Sequence, residues 1–137
     1  MKKFIFLVGF AVLFSGCGPS YVNHRIPLLN QKSQKVIEAS ELPSGCKVVG
    51  EVVGKDYIKP NEYYTDIDTL RRGARNNLKN KVVQMTNIAR PVIKINNRNI
   101  ICVGNNGKGF SCNYEEAKSG KFKVYAVEYQ GIVLNCK

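Results

Sequence analysis

The chain has 137 residues, which is enough for one compact domain and too few for two of ordinary size. It carries 21 basic and 10 acidic residues, which gives a net charge of +11 at pH 7. Its one histidine, His24, leaves Ser-His-Asp and Cys-His catalytic arrangements without credible members. We therefore expect no catalytic residues, no metal site and no cofactor.

The first sixteen residues have the three-part layout of an export signal. Two lysines open the chain, an apolar run follows over residues 4–14, and two small residues precede Cys17. The apolar run is shorter than the roughly 20 residues that a membrane-spanning helix needs. This pattern predicts a cleaved signal over residues 1–16 and not a transmembrane anchor.

Cys17 stands directly after that signal. The segment Leu13-Phe14-Ser15-Gly16-Cys17 resembles the signal of bacterial lipoproteins. In those proteins the cysteine thiol is diacylated, the leader is removed and the new amino group is acylated. The resemblance implies that Cys17 is lipidated and that the chain is held on a membrane by several acyl chains, since one chain alone binds marginally. The alternative is an ordinary signal peptide followed by an incidental cysteine.

The basic excess persists after the signal is removed. Residues 1–16 contain two of the basic residues and none of the acidic ones, so the remaining chain has a net charge of +9. In a cell envelope such a charge attracts anionic lipid headgroups, lipopolysaccharide or acidic glycans, and we expect no nucleic-acid partner. The alternative is a solvated basic surface that only keeps the protein soluble.

Residues 17–42 show no clean hydrophobic period and are polar around residues 31–35. Such a segment cannot bury enough apolar surface to offset the entropy of ordering it. We interpret it as the lipid anchor and a tether, with a weak strand or short helix near Val36–Ala39. The folded domain is then expected over residues 43–137, which leaves room for one thin core.

The domain is predicted to begin with a strand over residues 46–54, where β-branched residues alternate with polar or small ones. A loop over residues 55–64 follows. We expect its tyrosines, Tyr57, Tyr63 and Tyr64, to cover the core, although they could also form an exposed aromatic patch.

A helix is predicted to begin at Thr65, with Asp68 completing an N-terminal cap. Its apolar residues recur every three or four positions: Ile67, Leu70, Ala74, Leu78 and Val82. Gly73 would let the helix lie close to a sheet. The outer face is basic, and its candidate polyanion-binding residues are Arg71, Arg72, Arg75 and Lys79. We favour the simpler interpretation that this face is only the solvated side of the helix.

The rest of the chain has the pattern of strands and turns. Strands are expected over residues 90–95 and 99–103, joined by a hairpin turn at Asn96-Asn97. A second hairpin through the glycine-rich residues 104–109 returns over residues 110–114. A long last strand over residues 121–135 contains Gly131, which is typical of a bulge or bend. The elements together predict an α+β fold in which a small, mostly antiparallel sheet of four to five strands packs against one helix.

Four cysteines remain once Cys17 is set aside as the lipid site. An even number in an exported chain predicts disulfides, with three ways to pair them. Cys102 and Cys112 flank one hairpin, whereas Cys46 opens the first long strand and Cys136 closes the last. We therefore predict the pairs Cys102–Cys112 and Cys46–Cys136. A redox pair or a zinc site is disfavoured because there is no Cys-x-x-Cys and no paired histidine.

Three segments carry a resemblance to a known family: Cys46 followed by Gly50-Glu51-Val52, residues 73–81, and residues 131–136. In these the chain resembles the DUF4156 lipoprotein family, which is similar to the Rcs-phosphorelay outer-membrane sensor lipoprotein. The resemblance covers nearly the whole predicted domain. It implies a compact α/β domain with two disulfides that reports envelope damage to protein partners.

These observations lead to two expectations about function. The first is a non-enzymatic lipoprotein, anchored in the outer membrane and facing the periplasm, that takes part in envelope stress sensing or maintenance. Gly18, after the anchor, is not the aspartate that favours inner-membrane retention. The alternative is a surface-exposed binding protein for polyanionic envelope or host glycans.

Overall fold

The computed structural model describes residues 20–136, so the predicted signal over residues 1–16 and the lipidation site Cys17 lie outside the described residues. A short 3-10 helix over Ser33–Lys35 precedes the regular elements. These are β1 (Ile37–Glu38), β2 (Cys46–Tyr57), α1 (Ile67–Met85), β3 (Val92–Val103), β4 (Gly109–Cys112), α2 (Tyr114–Lys118) and β5 (Lys123–Cys136).

The strands form one mixed sheet in the order β1-β3-β5-β2. β5 lies in the middle and pairs antiparallel with both β2 and β3. The second edge of β3 is shared, because its start pairs with β1 in parallel and its end pairs with β4 antiparallel. The predicted α+β class, with about five strands on one main helix and two disulfides, is confirmed.

Helix α1 supplies the core from one side of the sheet. Its N-cap is Asp66, one residue later than the predicted Thr65. Its five predicted apolar positions are all buried: Ile67, Leu70, Ala74, Leu78 and Val82. They pack with side chains of the facing strands, such as Ile93, Val127 and Val133, in one hydrophobic cluster. The 3.6-residue period of the sequence thus identified the buried face of the helix.

Two glycines let α1 approach β2 closely, as the sequence predicted for Gly73. A Cβ atom added to Gly54 would lie 2.5 Å from the carbonyl oxygen of Ala74. One added to Gly73 would lie 1.9 Å from Oδ2 of Asp56. Both distances are below van der Waals contact. A larger residue at Gly54 would meet the helix backbone and force the two elements apart, whereas one at Gly73 would displace the Asp56 carboxylate.

The predicted hairpin at Asn96-Asn97 is wrong. β3 runs continuously from Val92 to Val103, with a register shift between Ile95 and Asn97 where it pairs with β5. No residue other than glycine has a positive φ among the described residues, so the asparagines do not form the expected turn. The reason is tertiary: the long β5 offers a partner along almost the whole length of β3, and the extra residue is absorbed as a bulge.

Helix α2 is not among the predicted elements. This single turn and a half begins at Asn113, whose side chain accepts a hydrogen bond from the backbone N–H of Glu116 at 2.8 Å. The Glu116 carboxylate in turn accepts one from the backbone N–H of Asn113 at 3.3 Å. An Asn with Glu three residues later is a capping-box pattern, so the signal was present in the sequence.

Both predicted disulfides are present. Cys46 and Cys136 are directly opposite each other in the β2–β5 pairing, with their Cα atoms 4.2 Å apart. Cys102 and Cys112 join β3 to β4, with a Cα separation of 5.9 Å. The first bond links residues 90 positions apart and the second links residues 10 apart. The Cys46–Cys136 bond therefore joins the first long strand of the chain to the last one.

The segment predicted as a tether is packed on the domain. We call residues 20–39 the strap. Val22 forms a parallel bridge with Glu62, and Ile37 pairs with Val92. Ser33 is fully buried between these contacts. The folded unit therefore includes the strap and does not begin at residue 43.

The strap docks mainly through polar groups, which explains why its composition suggested a tether. Side-chain amides on α1 bind its backbone: Asn76 Nδ2 donates to the carbonyl of Pro27 at 3.0 Å, and Asn80 Nδ2 donates to that of Leu28 at 2.8 Å. From β2 the strap passes across α1 to reach β3. Its order comes from hydrogen bonds to partners distant in sequence, which a local hydrophobic pattern does not reveal.

We expect the two disulfides to contribute unequally to stability. Valine fits a strand and resembles cysteine in size, so Cys46→Val/Cys136→Val and Cys102→Val/Cys112→Val form a matched pair of variants. The chain-entropy model assigns about 4–5 kcal/mol to the long loop and about 3 kcal/mol to the short one. Urea unfolding of each variant measures the loss. An equal or reversed order would contradict the expectation.

Candidate functional site

His24 lies at the centre of a buried polar cluster. Its Nε2 is 2.7 Å from Oδ2 of Asp56, and its Nδ1 is 3.1 Å from Oε1 of Glu62. The histidine side chain is only 2% exposed, and each carboxylate side chain is 6% exposed. One imidazole from the strap thus bridges two carboxylates that belong to different parts of the domain. We call these three residues the latch.

The fold positions each member of the latch. Asp56 is near the end of β2 and faces α1 at Gly73, where the missing side chain leaves space for the carboxylate. Glu62 follows in the loop after β2, and its carboxylate accepts a hydrogen bond from the backbone N–H of Lys59 at 2.8 Å. His24 comes two residues after Val22, which is itself paired with this loop. The strap is therefore delivered to both carboxylates by backbone pairing.

The three groups change one another's pKa. Burial alone would lower the pKa of His24, but hydrogen bonds to Asp56 and Glu62 raise it above its ordinary value. Burial raises the pKa of Asp56, and the hydrogen bond with His24 offsets only part of that effect. Burial also acts to raise the pKa of Glu62, yet hydrogen bonds from the Lys59 backbone and from His24 bring it below its ordinary value. Both shifts favour the charged form, that is protonated His24 and ionised Glu62, relative to the free side chains.

The geometry of the latch suits a structural role better than a chemical one. Both imidazole nitrogens are engaged, so neither is free to accept a proton from a substrate. The nitrogens also point in opposite directions, toward different carboxylates, and residues 20–136 contain no group of three ligands that could hold a metal ion. His24 falls in the predicted tether, because its partners lie 32 and 38 residues away and no local motif connects them.

The basic residues of α1 are largely used inside the domain. The candidate polyanion-binding set was Arg71, Arg72, Arg75 and Lys79. Arg71 Nε donates a hydrogen bond to the hydroxyl of Tyr129 at 3.0 Å. Arg75 Nε lies 2.9 Å from Oε1 of Glu38, as an ion pair outside hydrogen-bond geometry, and Lys79 Nζ lies 3.9 Å from the other oxygen. Polyanion binding by this face stays a prediction, and its basic residues chiefly hold β1 and β5 against the helix.

Five of the seven tyrosines are exposed on another surface. Their exposed fractions range from 36% to 56%, and they are Tyr21, Tyr57, Tyr63, Tyr64 and Tyr125. The expectation that Tyr57, Tyr63 and Tyr64 cover the core is therefore wrong. Tyr57 alternates along β2 with the buried residues Asp56 and Ile58, so it must lie on the face away from α1.

These tyrosines lie near one another and near lysines. The rings of Tyr21 and Tyr63 have centroids 5.5 Å apart, and those of Tyr57 and Tyr125 are 6.4 Å apart. Lys55 lies 5.5 Å above the ring of Tyr57, and Lys123 lies 5.0 Å above that of Tyr64. Lys59 shares a depression with three of the tyrosines. The tyrosine–lysine surface consists of Tyr21, Tyr57, Tyr63, Tyr64, Tyr125, Lys55, Lys59 and Lys123.

Comparisons of the chain with family models, with curated proteins and with solved structures find no match. The resemblance to the DUF4156 lipoprotein family therefore stays a prediction. Neither helix in the described part of the chain is long and apolar enough to cross a membrane.

We expect Gly73→Ala to destabilise the protein, although alanine is the better helix former by about 1 kcal/mol. The new Cβ would collide with the Asp56 carboxylate and push it out of the latch. The expected loss in the free energy of unfolding is about 1–3 kcal/mol. In an Asp56→Ala background the carboxylate is gone and only the Cβ of residue 56 remains, 3.0 Å from the added Cβ, so the same change should cost clearly less. Urea unfolding of the four proteins tests this, and a loss of equal size in both backgrounds would contradict it.

Replacing His24 should show how much the latch contributes to the free energy of unfolding. His24→Ala leaves Asp56 and Glu62 buried without a cation, and we expect a loss of about 3–5 kcal/mol at neutral pH. His24→Gln is the matched control, since it keeps hydrogen-bonding groups but carries no charge. The free energy of unfolding from urea titrations is the measurement.

The cost of His24→Gln should also depend on pH. Because the folded state raises the pKa of His24, the stabilisation is fully present below the ordinary value of 6.5 and is lost as the pH rises through the folded-state pKa. Ionised Glu62, whose pKa is lowered, also stabilises the fold. This stabilisation is lost as the pH falls below the ordinary pKa of 4.5. Ionisation of Asp56, whose pKa is raised, works against the fold as the pH rises. A difference between wild type and His24→Gln that stays constant from weakly acidic to alkaline pH would rule out a charged latch.

Proposed function

We propose that the protein is a non-enzymatic, lipid-anchored protein of the cell envelope that acts in envelope stress sensing or maintenance. The observation that supports this most directly is the docking of the strap next to the predicted anchor. Val22, which pairs with the domain, is five residues after Cys17. Five residues reach at most about 17 Å, so acyl chains on Cys17 would hold a folded domain close to the membrane.

The disulfides support an exported protein. Two bonds cross-link neighbouring strands of a sheet with a small core, and such bonds persist in oxidising compartments outside the cytosol. This agrees with the export signal expected at residues 1–16. The lipid anchor, in an outer membrane and facing the periplasm, remains part of the proposal.

A sensing role needs an element with two states, and the strap is the best candidate. Val36 joins the hydrophobic core, but other apolar side chains of the strap stay exposed: Leu28 is 87% exposed and Val22 is 48% exposed. Its contacts with the domain are chiefly hydrogen bonds and the latch. Elements held in this way open at lower free energy than a packed core. Release of the strap would change both the distance from the membrane and the surface that the domain presents to a protein partner.

The proposal of a non-enzymatic role is based on the titratable groups of residues 20–136. The latch has no free imidazole nitrogen. Of the acidic pair Glu115 and Glu116, the second caps α2 and is not turned toward a cleft.

The alternative function is a surface-exposed binding protein for polyanionic envelope or host glycans. The tyrosine–lysine surface is the observation that favours it, because aromatic rings beside cations are common in such sites. The two proposals differ in which side of the outer membrane carries the domain.

The first experiment tests whether Cys17 is lipidated. Cells that express the wild type in the presence of an alkyne-tagged palmitate should yield a labelled protein in the membrane fraction, and mass spectrometry should find Cys17 at the mature N-terminus with acyl groups. Cys17→Ala should lose the label and leave the membrane fraction. A mature protein that is cleaved but not acylated would contradict the proposal.

Protease treatment of cells then separates the two functions. A periplasm-facing domain should be protected in intact cells and degraded after the outer membrane is permeabilised. Degradation in intact cells would instead support the surface-exposed binding protein. A periplasmic protein without an anchor, exposed by the same treatment, controls for leakage.

A further inference from the structure

We infer that the tyrosine–lysine surface lies against the anionic lipid headgroups of the membrane that carries the anchor. This inference rests on the lipid anchor of the proposed function and goes beyond it, since it assigns a membrane-contacting face and an orientation to the domain. The partner it names is a phospholipid headgroup layer with negative charge.

The position of the surface is the first reason. Tyr21 belongs to the surface and is four residues after Cys17, so it can be at most about 14 Å from the anchor. Its ring packs on that of Tyr63, which fixes the start of the described chain to this face of the domain. Leu42 marks the opposite end of the domain, because it precedes the start of β2, whereas Tyr57 ends that strand. A twelve-residue strand spans about 36 Å, so an anchor at Cys17 brings the tyrosine–lysine surface to the membrane first.

The side-chain chemistry is the second reason. A tyrosine has an apolar ring and a polar hydroxyl, and tyrosines concentrate where hydrocarbon meets water. Here five of the seven gather on one face. The two tyrosines outside this face bind Arg71 instead, Tyr129 through its hydroxyl and Tyr114 through its ring.

The charge of the surface is the third reason. None of its three lysines is in an ion pair with another residue of the described range 20–136. Three carboxylates lie nearby, and none forms an ion pair with these lysines within the described residues. Glu62 is turned inward to His24, and Asp66 accepts hydrogen bonds at the start of α1. Glu128 is opposite Lys55 in the strand register.

A headgroup layer fits these features better than a neutral glycan. Four of the five rings form tilted pairs and Tyr64 has Lys123 above it, so the rings do not form one flat stacking platform, whereas lysines around the rings match phosphate groups. Each lysine near an anionic bilayer strengthens binding by roughly fivefold. Three lysines beside the anchor are therefore enough to favour one orientation.

The chain contains no tryptophan, which allows a single fluorescent reporter. Tyr63→Trp places it in the surface, and Leu42→Trp is the matched control at the opposite end, since the two native side chains are 56% and 57% exposed. Each full mature lipoprotein is reconstituted through its own acyl chains into vesicles with brominated lipid chains. One set of vesicles is equimolar phosphatidylglycerol and phosphatidylcholine, and the other is phosphatidylcholine alone.

We expect strong quenching of Tyr63→Trp in the anionic vesicles, little quenching in the neutral ones, and loss of the difference at high salt. Leu42→Trp should show little quenching in either. Adding Lys55→Gln/Lys59→Gln/Lys123→Gln to the Tyr63→Trp protein should reduce its quenching to the level seen in neutral vesicles. The control triple Lys32→Gln/Lys35→Gln/Lys81→Gln removes the same charge from exposed positions elsewhere and should not.

Equal quenching of both reporters, or no quenching of either, in protein that floats with the vesicles would overturn the inference and leave the anchor intact. Failure to float with neutral vesicles would overturn the anchor and the inference together. Lysine-dependent binding to isolated peptidoglycan, without quenching by lipid, would assign the surface to a glycan and also overturn the inference.

Discussion

The structure depends on the close approach of β2 and α1. Gly54 and Gly73 remove the side chains that would hold these elements apart, and this leaves the Asp56 carboxylate against the helix backbone. A buried carboxylate with no partner would be costly, so Asp56 needs a hydrogen-bond donor. His24 supplies it from a segment outside the sheet and is bound on its other side by Glu62. The packing of two regular elements thus creates the site that orders the strap.

The disulfides and the strap both compensate for a small hydrophobic core. A domain of this size has a thin core, built from one helix on one face of the sheet. The Cys46–Cys136 bond joins the outer strand to the central one, and the Cys102–Cys112 bond holds the short β4 on β3. The strap covers the helix from the other side through amide and ionic contacts. Covalent and polar contacts therefore supplement an apolar core that is small.

The two surfaces of interest have different chemical properties. The basic face of α1 is occupied by contacts within the domain, in particular with Glu38 and Tyr129. The tyrosine–lysine surface has exposed rings and lysines without ion pairs among the described residues, and it adjoins the start of the described chain. A chain tethered at Cys17 would present this surface to its membrane. The latch adjoins the tyrosine–lysine surface, since Glu62 lines the same depression as Lys59, so a change in the strap would alter the orientation of the domain.

The sequence by itself determined the fold class, the buried stripe of α1, both disulfides and the role of Gly73 as a close-packing position. These features depend on local period, on cysteine spacing and on the missing side chain of one residue. Only the tertiary structure decided that Asn96 and Asn97 continue a strand, because β5 provides their pairing partners. It alone also placed His24 between Asp56 and Glu62, since charges so far apart in sequence meet only after the chain has folded.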